Sequence, residues 1–534
     1  MSRQLSSLLK ISVAGFVLLS VGACKPADKG QGALKSAGVE ALNLSKADTS
    51  IFGKYFETAA CDVDEMEALG ALAGLGLGET GTNNLTFAKR KFEAGRVVYS
   101  DFRIETSDTE SFSSKQITFH CPQMGEEAPN FERLDLKDAT LREDEITANF
   151  GTLSVSHPTA DAAKALVAGM MSSDNDTSGD IGFGAVSVTG VKVTGDAFSG
   201  TLSALAWGED RGADKRGTAD LMLEELKMTV PGKDGVQDMT VDFEGMGARN
   251  LNIGAKLLPR YGLSPNGAIS QFIGSLNTGT KPYDELIIGD LDVDAEGFSL
   301  DFDGIEGKTT EAGDVITTRQ SFNPMTITLK PALGENPEFK RAYTILKSLD
   351  FETIEMSGSS VTRLDKSDDS IAVSDGLWVI KDAMKLNFEY EAEGLAEMLK
   401  SLQTAQSVTS QSQMAAMYEP LKLRSMRFTM EDNSIVARGL KLASEMTGQS
   451  EANIKRGLGM LVFGAAMAAE NEVQAEVYSE TIEAFADFVK NGGTMTIEAN
   501  PPAPFSLAPL VTGKGADVDP ATLGFSASQE NEAP

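Results

Sequence analysis

The chain has 534 residues, enough to bury a large core and to form two or three structural units. Its 47 basic residues stand against 78 acidic ones, a formal charge of −31. That balance excludes a nucleic-acid partner, which needs a basic surface, and argues against a general attraction to anionic lipid headgroups. A hydrophobic content of 41% marks a folded chain rather than a disordered one.

The first elements are a leader and a tether. "MSRQLSSLLK" supplies Arg3 and Lys10, "ISVAGFVLLS" supplies a short apolar run, and "VGAC" puts Cys24 directly after small residues. A charged start, a short apolar stretch and small residues before a cut site make a secretory signal. The run is too short to span a bilayer comfortably. With its cysteine, the stretch resembles the bacterial lipoprotein signal. The resemblance implies that residues 1–23 are removed and that Cys24 is acylated, which makes the membrane a partner through a firm lipid anchor. Lys25 follows the cysteine in place of the Asp that retains enteric lipoproteins at the inner membrane. The expected location is therefore the cell envelope, at the outer membrane, on its periplasmic or its surface side. Residues 24–50 are small and polar and read as a lipidated tether.

Residues 51–125 read as an N-terminal β-rich subdomain holding a disulfide. With Cys24 spent on lipid, Cys61 and Cys121 remain, and an oxidising compartment pairs them. "DVDEMEALGALAGLGLG" (62–78) starts as a helix and turns Gly-rich, and "LTFAKRKFEAGRVVYSDFRIET" and "SKQITFHC" alternate as strands.

Residues 126–430 carry a repeat of the form apolar-x-apolar-x-x-apolar-x-apolar. It appears in "LDLKDATL" (Leu134, Leu136, Ala139, Leu141), "VSVTGVKV" (Val186, Val188, Val191, Val193) and "LMLEELKM" (Leu221, Leu223, Leu226, Met228). It recurs in "LIIGDLDV" (Leu286, Ile288, Leu291, Val293), "LDFETIEM" (Leu349, Phe351, Ile354, Met356) and "LKLRSMRF" (Leu421, Leu423, Met426, Phe428). A further apolar residue follows at Ile146, Phe198, Phe298 and Val361. Strand side chains alternate with period two, so a step of three flips the face unless a β-bulge absorbs the extra residue and bends the strand. A two-residue hairpin is the other option, and Gly190 and Gly289 suit it in two copies. The expected fold is α+β and β-dominated: a long, curved, mostly antiparallel sheet of repeated strand units with helical insertions.

"DLDVDAEGFSLD" (290–301) imitates an EF-hand loop through Asp290, Asp292, Asp294 and Asp301. Ala295 stands where the turn needs Gly, and Asp301 stands where the ion needs a bidentate Glu. Leu291, Val293, Phe298, Leu300 and Phe302 alternate with the acids, so the stretch reads as strand with a solvated acidic face. Helices are expected over "HPTADAAKALVAGMM", capped by Thr159 with Ala163, Leu166, Val167 and Met170 on one face, and over 336–348 and 393–418.

Residues 431–512 read as a helical pair, 450–469 and 472–490, followed by a strand. In the second helix Tyr478, Ile482, Phe485 and Val489 form a stripe and Gly492 a stop. "GLGMLVFGAAMAA" (457–469) is apolar all round, which makes Leu458, Met460, Leu461, Phe463 and Met467 the candidates for lining an apolar ligand groove. Residues 513–534 are polar and are expected to be disordered.

Nothing marks catalysis. His120 and His157 are the only histidines, no zinc motif or G-x-S-x-G elbow is present, and "EGKTT" lacks the first Gly of a P-loop. No catalytic residue, metal or cofactor is expected. The repeat with its helical insertions in an exported chain resembles the AsmA-like and YdgA-like envelope proteins, over about 126–512. That likeness implies envelope maintenance or lipid handling without catalytic residues. Those proteins carry a transmembrane anchor where this one has "VGAC". Two functions follow as expectations: a lipoprotein holding a lipid or other apolar ligand, or one that docks another envelope protein. An enzyme acting on wall or glycan ranks below both.

Overall fold

The computed structural model describes residues 50–58, 61–78, 84–105, 107–125, 128–171, 182–211, 217–232, 237–254, 281–335, 337, 339–395, 397–398, 411–457, 472–511 and 520–530. The fold is β-dominated and antiparallel, as the repeat requires: among the described residues 22 strands form one sheet, and a 2-stranded ribbon stands apart. The chain divides into two compact units, the first ending at Ala295 and the second taking up the chain from Glu296. That boundary falls inside the span 126–430 expected to be one body. No boundary falls at 125, because the fourth strand pairs directly with the first strand beyond it.

The first unit holds β1 (Leu85–Thr86), β2 (Lys89–Glu93), β3 (Arg96–Glu105), β4 (Glu110–His120), the ribbon β5 (Gln123–Met124) and β6 (Pro129–Asn130), β7 (Arg133–Glu143) and β8 (Ile146–Ser156). It continues with β9 (Ala185–Thr194), β10 (Ser199–Arg211), β11 (Gly217–Val230), β12 (Met239–Gly254), β13 (Glu285–Ile288) and β14 (Leu291–Asp294). From β3 to β12 each strand of the main sheet pairs with the next, an up-and-down meander. β12 then takes both β13 and β14 as neighbours, so these two act as one interrupted strand.

A left-handed residue in alternate strands, rather than a hairpin or a register-shifting bulge, solves the three-residue step in this unit, and these residues line up. Asp101 in β3, Asp138 in β7, Gly190 in β9 and Glu225 in β11 each occupy the second gap position of a frame. Their φ values are 52°, 48°, 60° and 48°. The register is the same on either side of each, so the facing residues Lys115, Gly151, Ser203 and Glu244 also step by three. The frame therefore runs through β3, β4, β8, β10 and β12 as well, where the sequence reading did not find it. A crease crosses the unit at right angles to its strands, and one face stays apolar on both sides of it. In β3 that face is Val97, Tyr99, Phe102 and Ile104, all nearly solvent-free. Gly190 suits the crease twice over: its φ is left-handed, and its ideal Cβ would lie 3.5 Å from Gly151 Cα.

Two helices cover the apolar face of β3, β4 and β7. α1 (Glu65–Gly74) begins at Asp64, whose side chain accepts from the Glu67 amide, as an N-cap does. α2 (Ala160–Met171) begins at Thr159, whose hydroxyl accepts from the Ala162 amide. Ala68 and Leu72 of α1 and Ala163, Val167 and Met170 of α2 pack against the frame residues. Tyr99 meets Phe87, Phe102 and Phe119 edge-on at 5.1, 5.6 and 6.3 Å. Full burial of each such ring contributes about 1.5–3 kcal/mol.

The acidic stretch 290–301 divides between the units. Leu291 and Val293 in β14 are 6% and 8% exposed while Asp290 and Asp292 face solvent, the alternation expected of a strand. Phe298 departs from it at 36% exposed, although Phe302 is buried.

The second unit holds β15 (Phe298–Phe302), β16 (Ile305–Ala312), β17 (Val315–Leu329), β18 (Thr353–Asp365), β19 (Ser370–Ile380), β20 (Met384–Glu393), β21 (Lys422–Asp432), β22 (Gly493–Ala499), β23 (Phe505–Ser506) and β24 (Phe525–Glu530). Its helices include α3 (Lys340–Ser348), α4 (Gln411–Tyr418), α5 (Ile435–Thr447) and α6 (Glu472–Asn491). Here the bulges shift the register, because only alternate strands carry the extra residue. Shifts fall at Asn323–Pro324 in β17, Ser374–Asp375 in β19 and Arg424 in β21. Pro324 suits a bulge because it has no amide to donate.

Four expectations need correction in this unit. "LDFETIEM" is not one strand: α3 ends at Ser348, Asp350 is left-handed at φ 56°, and β18 starts only at Thr353. Residues 525–530 form β24 on β22 rather than a disordered tail, because Phe525 and Ala527 continue the alternation opposite Ala499 and Ile497. In α6 the packed side chains are Ala484 and Phe488, while Phe485 is 46% exposed. α5 was not foreseen, though Gly448, left-handed at φ 68°, marks its end.

Candidate functional site

Cys61 and Cys121 are joined, with Cα atoms 5.8 Å apart, inside the range disulfides use. The bond ties the start of α1 to the end of β4. Cys24 and the groove candidates Leu458, Met460, Leu461, Phe463 and Met467 lie outside the described residues.

The second unit presents an apolar face that sequence spacing pointed to only at Leu423, Met426 and Phe428. Cross-strand neighbours share a face, and the register assembles the rest. Met325 faces Met356, Met356 faces Ile380, Trp378 faces Leu386, and Leu386 faces Met430. Phe388 faces Phe428, which faces Ile497, and Met430 faces Met495. The reverse face is polar in β20 and β21, with Lys385, Asn387, Glu389, Arg427, Thr429 and Glu431, whereas β19 places Leu377 and Val379 there. Met325, Met356 and Met495 are buried, whereas Trp378, Leu386, Phe388, Phe428 and Met430 are only half-buried. The Phe388 and Phe428 rings stack at 6.4 Å. Phe488 of α6, on the helix that packs beside β22 and β24, is 2% exposed. Thioethers and aromatics in a half-covered row make an adaptable apolar surface. The sequence signal that finds it is period-two alternation in Met384–Tyr390 and Met426–Met430.

At the bulge beyond that face, Arg424 meets Glu391 and Glu393 at 2.8 Å and Asp368 at 3.2 Å. Hydrogen bonds that it donates to Glu391 first, then Glu393, raise its already high pKa, so it stays charged. It holds the bulged end of β21 to β20.

In the first unit, residues 50–56 form a strap across the reverse face of the sheet. Phe52 and Tyr55 pack on Ala185, Ala204, Ala206 and Met222. The Tyr55 hydroxyl donates to Asp220 Oδ2 at 2.9 Å, Lys54 pairs with the same carboxylate at 3.3 Å, and the Asn250 amide donates to Oδ1. Ser156 donates to the Tyr55 carbonyl and Arg133 to the Phe56 carbonyl. Gly208 makes room for the Tyr55 ring: a Cβ there would lie 2.1 Å from Tyr55 Cδ2.

Beside the strap, Asp135 Oδ2 lies 2.8 Å from His120 Nε2, and its Oδ1 accepts from Arg133 at 2.8 Å and Ser154 at 2.6 Å. Burial pushes the Asp135 pKa up, but the hydrogen bonds from His120, Ser154 and Arg133 outweigh it and hold the carboxyl below its ordinary value. The trio of Ser, Asp and His is not a nucleophile relay. The carboxylate sits in the middle, so the hydroxyl faces an acid rather than the imidazole that would take its proton.

Comparisons with known proteins add little. A family model described as "Uncharacterized protein" matches residues 378–530, the stretch that builds most of the apolar face. None of the curated proteins compared matches the chain. Among solved structures, outer-membrane expressed OmpT of Vibrio cholerae aligns over 65% of this chain and 82% of its own, at 9% identity and a TM-score of 0.13. Its loop L8 deletion mutant aligns over 63% and 83%, at 9% identity and the same TM-score of 0.13. At that score neither likeness carries an argument.

Proposed function

We propose that the chain is a non-catalytic envelope lipoprotein, anchored through acylated Cys24, whose second unit holds an acyl chain or a similar apolar ligand. The observation that carries the reading is the half-buried row Trp378, Leu386, Phe388, Phe428 and Met430, whose reverse face is polar in β20 and β21 and apolar only at Leu377 and Val379 of β19. A strand face that only closed a core would have no reason to leave so many large apolar side chains half in solvent. The "VGAC" signal with Lys25 supports an envelope location, at the outer membrane.

Two measurements test the reading separately. Mass spectrometry of the N-terminal peptide reads acylation: a chain beginning at Met1, or at an unmodified Cys24, removes the anchor. Extraction in mild detergent followed by lipid mass spectrometry reads the ligand. A bound lipid should copurify with the native chain and drop at least tenfold in Leu386→Gln/Met430→Gln. Repeated absence of lipid from the folded native chain overturns the ligand reading and leaves the docking of another envelope protein.

A further inference from the structure

We infer that the reverse face of β2, β3, β4 and β7 in the first unit is a docking surface for anionic phospholipid headgroups of the membrane that holds the anchor. The observation is a local inversion of charge. Opposed residues of the register place Lys89 beside Ser100, Lys91 beside Val98, Glu93 beside Arg96, Arg96 beside His120 and His120 beside Arg133. Gln116 stands beside Lys137 on the same face. This corner thus gathers Lys89, Lys91, Arg96, Arg133 and Lys137 in a chain whose formal charge is −31. Its carboxylates are already engaged, Glu93 by Lys91 at 3.3 Å and Asp135 by His120 and Arg133 at 2.8 Å. Lys89, Lys91, Arg96 and Lys137 are exposed, and among the described residues Lys89, Arg96 and Lys137 make no ion pair.

Position supplies the second argument. The strap lies on this same face, with Arg133 Nη1 donating to the Phe56 carbonyl at 2.8 Å. The chain that leads back to Cys24 therefore leaves the body from this side. The turn between β2 and β3 is held there too: Cys61 Sγ, bonded to Cys121, lies 3.9 Å from the Gly95 carbonyl. Residues 25–49 between anchor and strap can reach no further than about 90 Å, which keeps the body within that distance of the bilayer. The acidity of the whole chain does not cancel the patch, because charges beyond about 8 Å are screened at physiological salt. The inference adds an orientation to the anchored lipoprotein, and its test does not depend on acylation.

The test is vesicle flotation of residues 24–534, which contain every described element, carrying Cys24→Ala. The vesicles are phosphatidylcholine alone, or phosphatidylcholine and phosphatidylglycerol in equal parts. Binding should require phosphatidylglycerol and weaken as salt rises. Each basic residue near an anionic surface strengthens binding about fivefold, so Lys89→Gln/Arg96→Gln/Lys137→Gln should weaken it about a hundredfold. Lys340→Gln/Arg341→Gln/Lys422→Gln, an equal charge change on exposed residues of the second unit, should leave binding within about twofold. All six side chains are exposed, and circular dichroism checks that both variants fold. Equal loss in the two variants, or no binding of the parent to phosphatidylglycerol vesicles, overturns the inference.

Discussion

The crease makes a prediction opposite in sign to ordinary strand behaviour. Asp138 sits in β7 at φ 48°, exposed, with Lys115 3.8 Å away. Both side chains of that pair are well exposed, so its loss matters little, and it is lost in any substitution. Asp138→Gly relieves left-handed strain and should be neutral or stabilising by up to about 1 kcal/mol. Asp138→Val forces a β-branched residue into that conformation and should cost about 2 kcal/mol or more. At a regular strand position the order reverses, with Val better than Gly by about 1 kcal/mol. Thr140, two residues on in β7 and outside the positive-φ set, is the internal control. The assay is urea unfolding followed by Trp207 in the first unit. Trp378→Phe makes it the sole tryptophan of a chain that has 2. The Gly variant at 138 should have the higher midpoint at unchanged slope, and at 140 the lower. If Val matched or exceeded Gly at 138, the crease would not be held by a left-handed residue and the account of the repeat would fail.

Other outcomes follow from the same contacts. Cys61→Ala/Cys121→Ala opens a link of sequence separation 60 and should destabilise the first unit by about 4 kcal/mol on the chain-entropy argument, read as a urea midpoint below that of wild type without reductant, a gap that should close when reductant opens the wild-type bond. Asp135→Asn removes the charge and one of the two acceptor oxygens that serve three hydrogen bonds, and should cost about 1.5–3 kcal/mol near neutral pH. The folded pKa of Asp135 is depressed, so its contribution is present above the unfolded carboxylate value of about 3.9 and is lost as pH falls through the lower folded value. Wild type and variant should therefore converge in acid, and a gap that persists there would refute the assignment. Gly208→Val should expel the Tyr55 ring and expose residues 50–58 to protease without unfolding the sheet; an unchanged cleavage pattern would show that the strap does not depend on that contact.

The repeat was legible because it is a local pattern. Val186, Val188, Val191 and Val193 must share a face if β9 is a strand at all, and a step of three leaves few ways to do it. The cap Thr159 and the stop at Gly492 were legible for the same reason, since each acts on backbone within a few residues. "LDFETIEM" failed because the frame is loose: α3 reaches Ser348, Leu349 caps it, and Phe351 is buried in the turn before β18 begins, which satisfies the same spacing without a strand. The tail strand β24 was missed because six polar-alternating residues carry a weak signal, and pairing with β22 decides them.

What chemistry alone determined is the alternation of apolar and acidic side chains, the change of face that a three-residue step must resolve, and the pairing of Cys61 with Cys121. What only the folded chain decided is which strands lie side by side. Register sets that, and register depends on contacts far apart in sequence, such as Met325 with Met356 or Phe428 with Ile497. The half-buried apolar row of the second unit and the basic corner of the first are both products of register, which is why neither is visible in any single stretch of the chain.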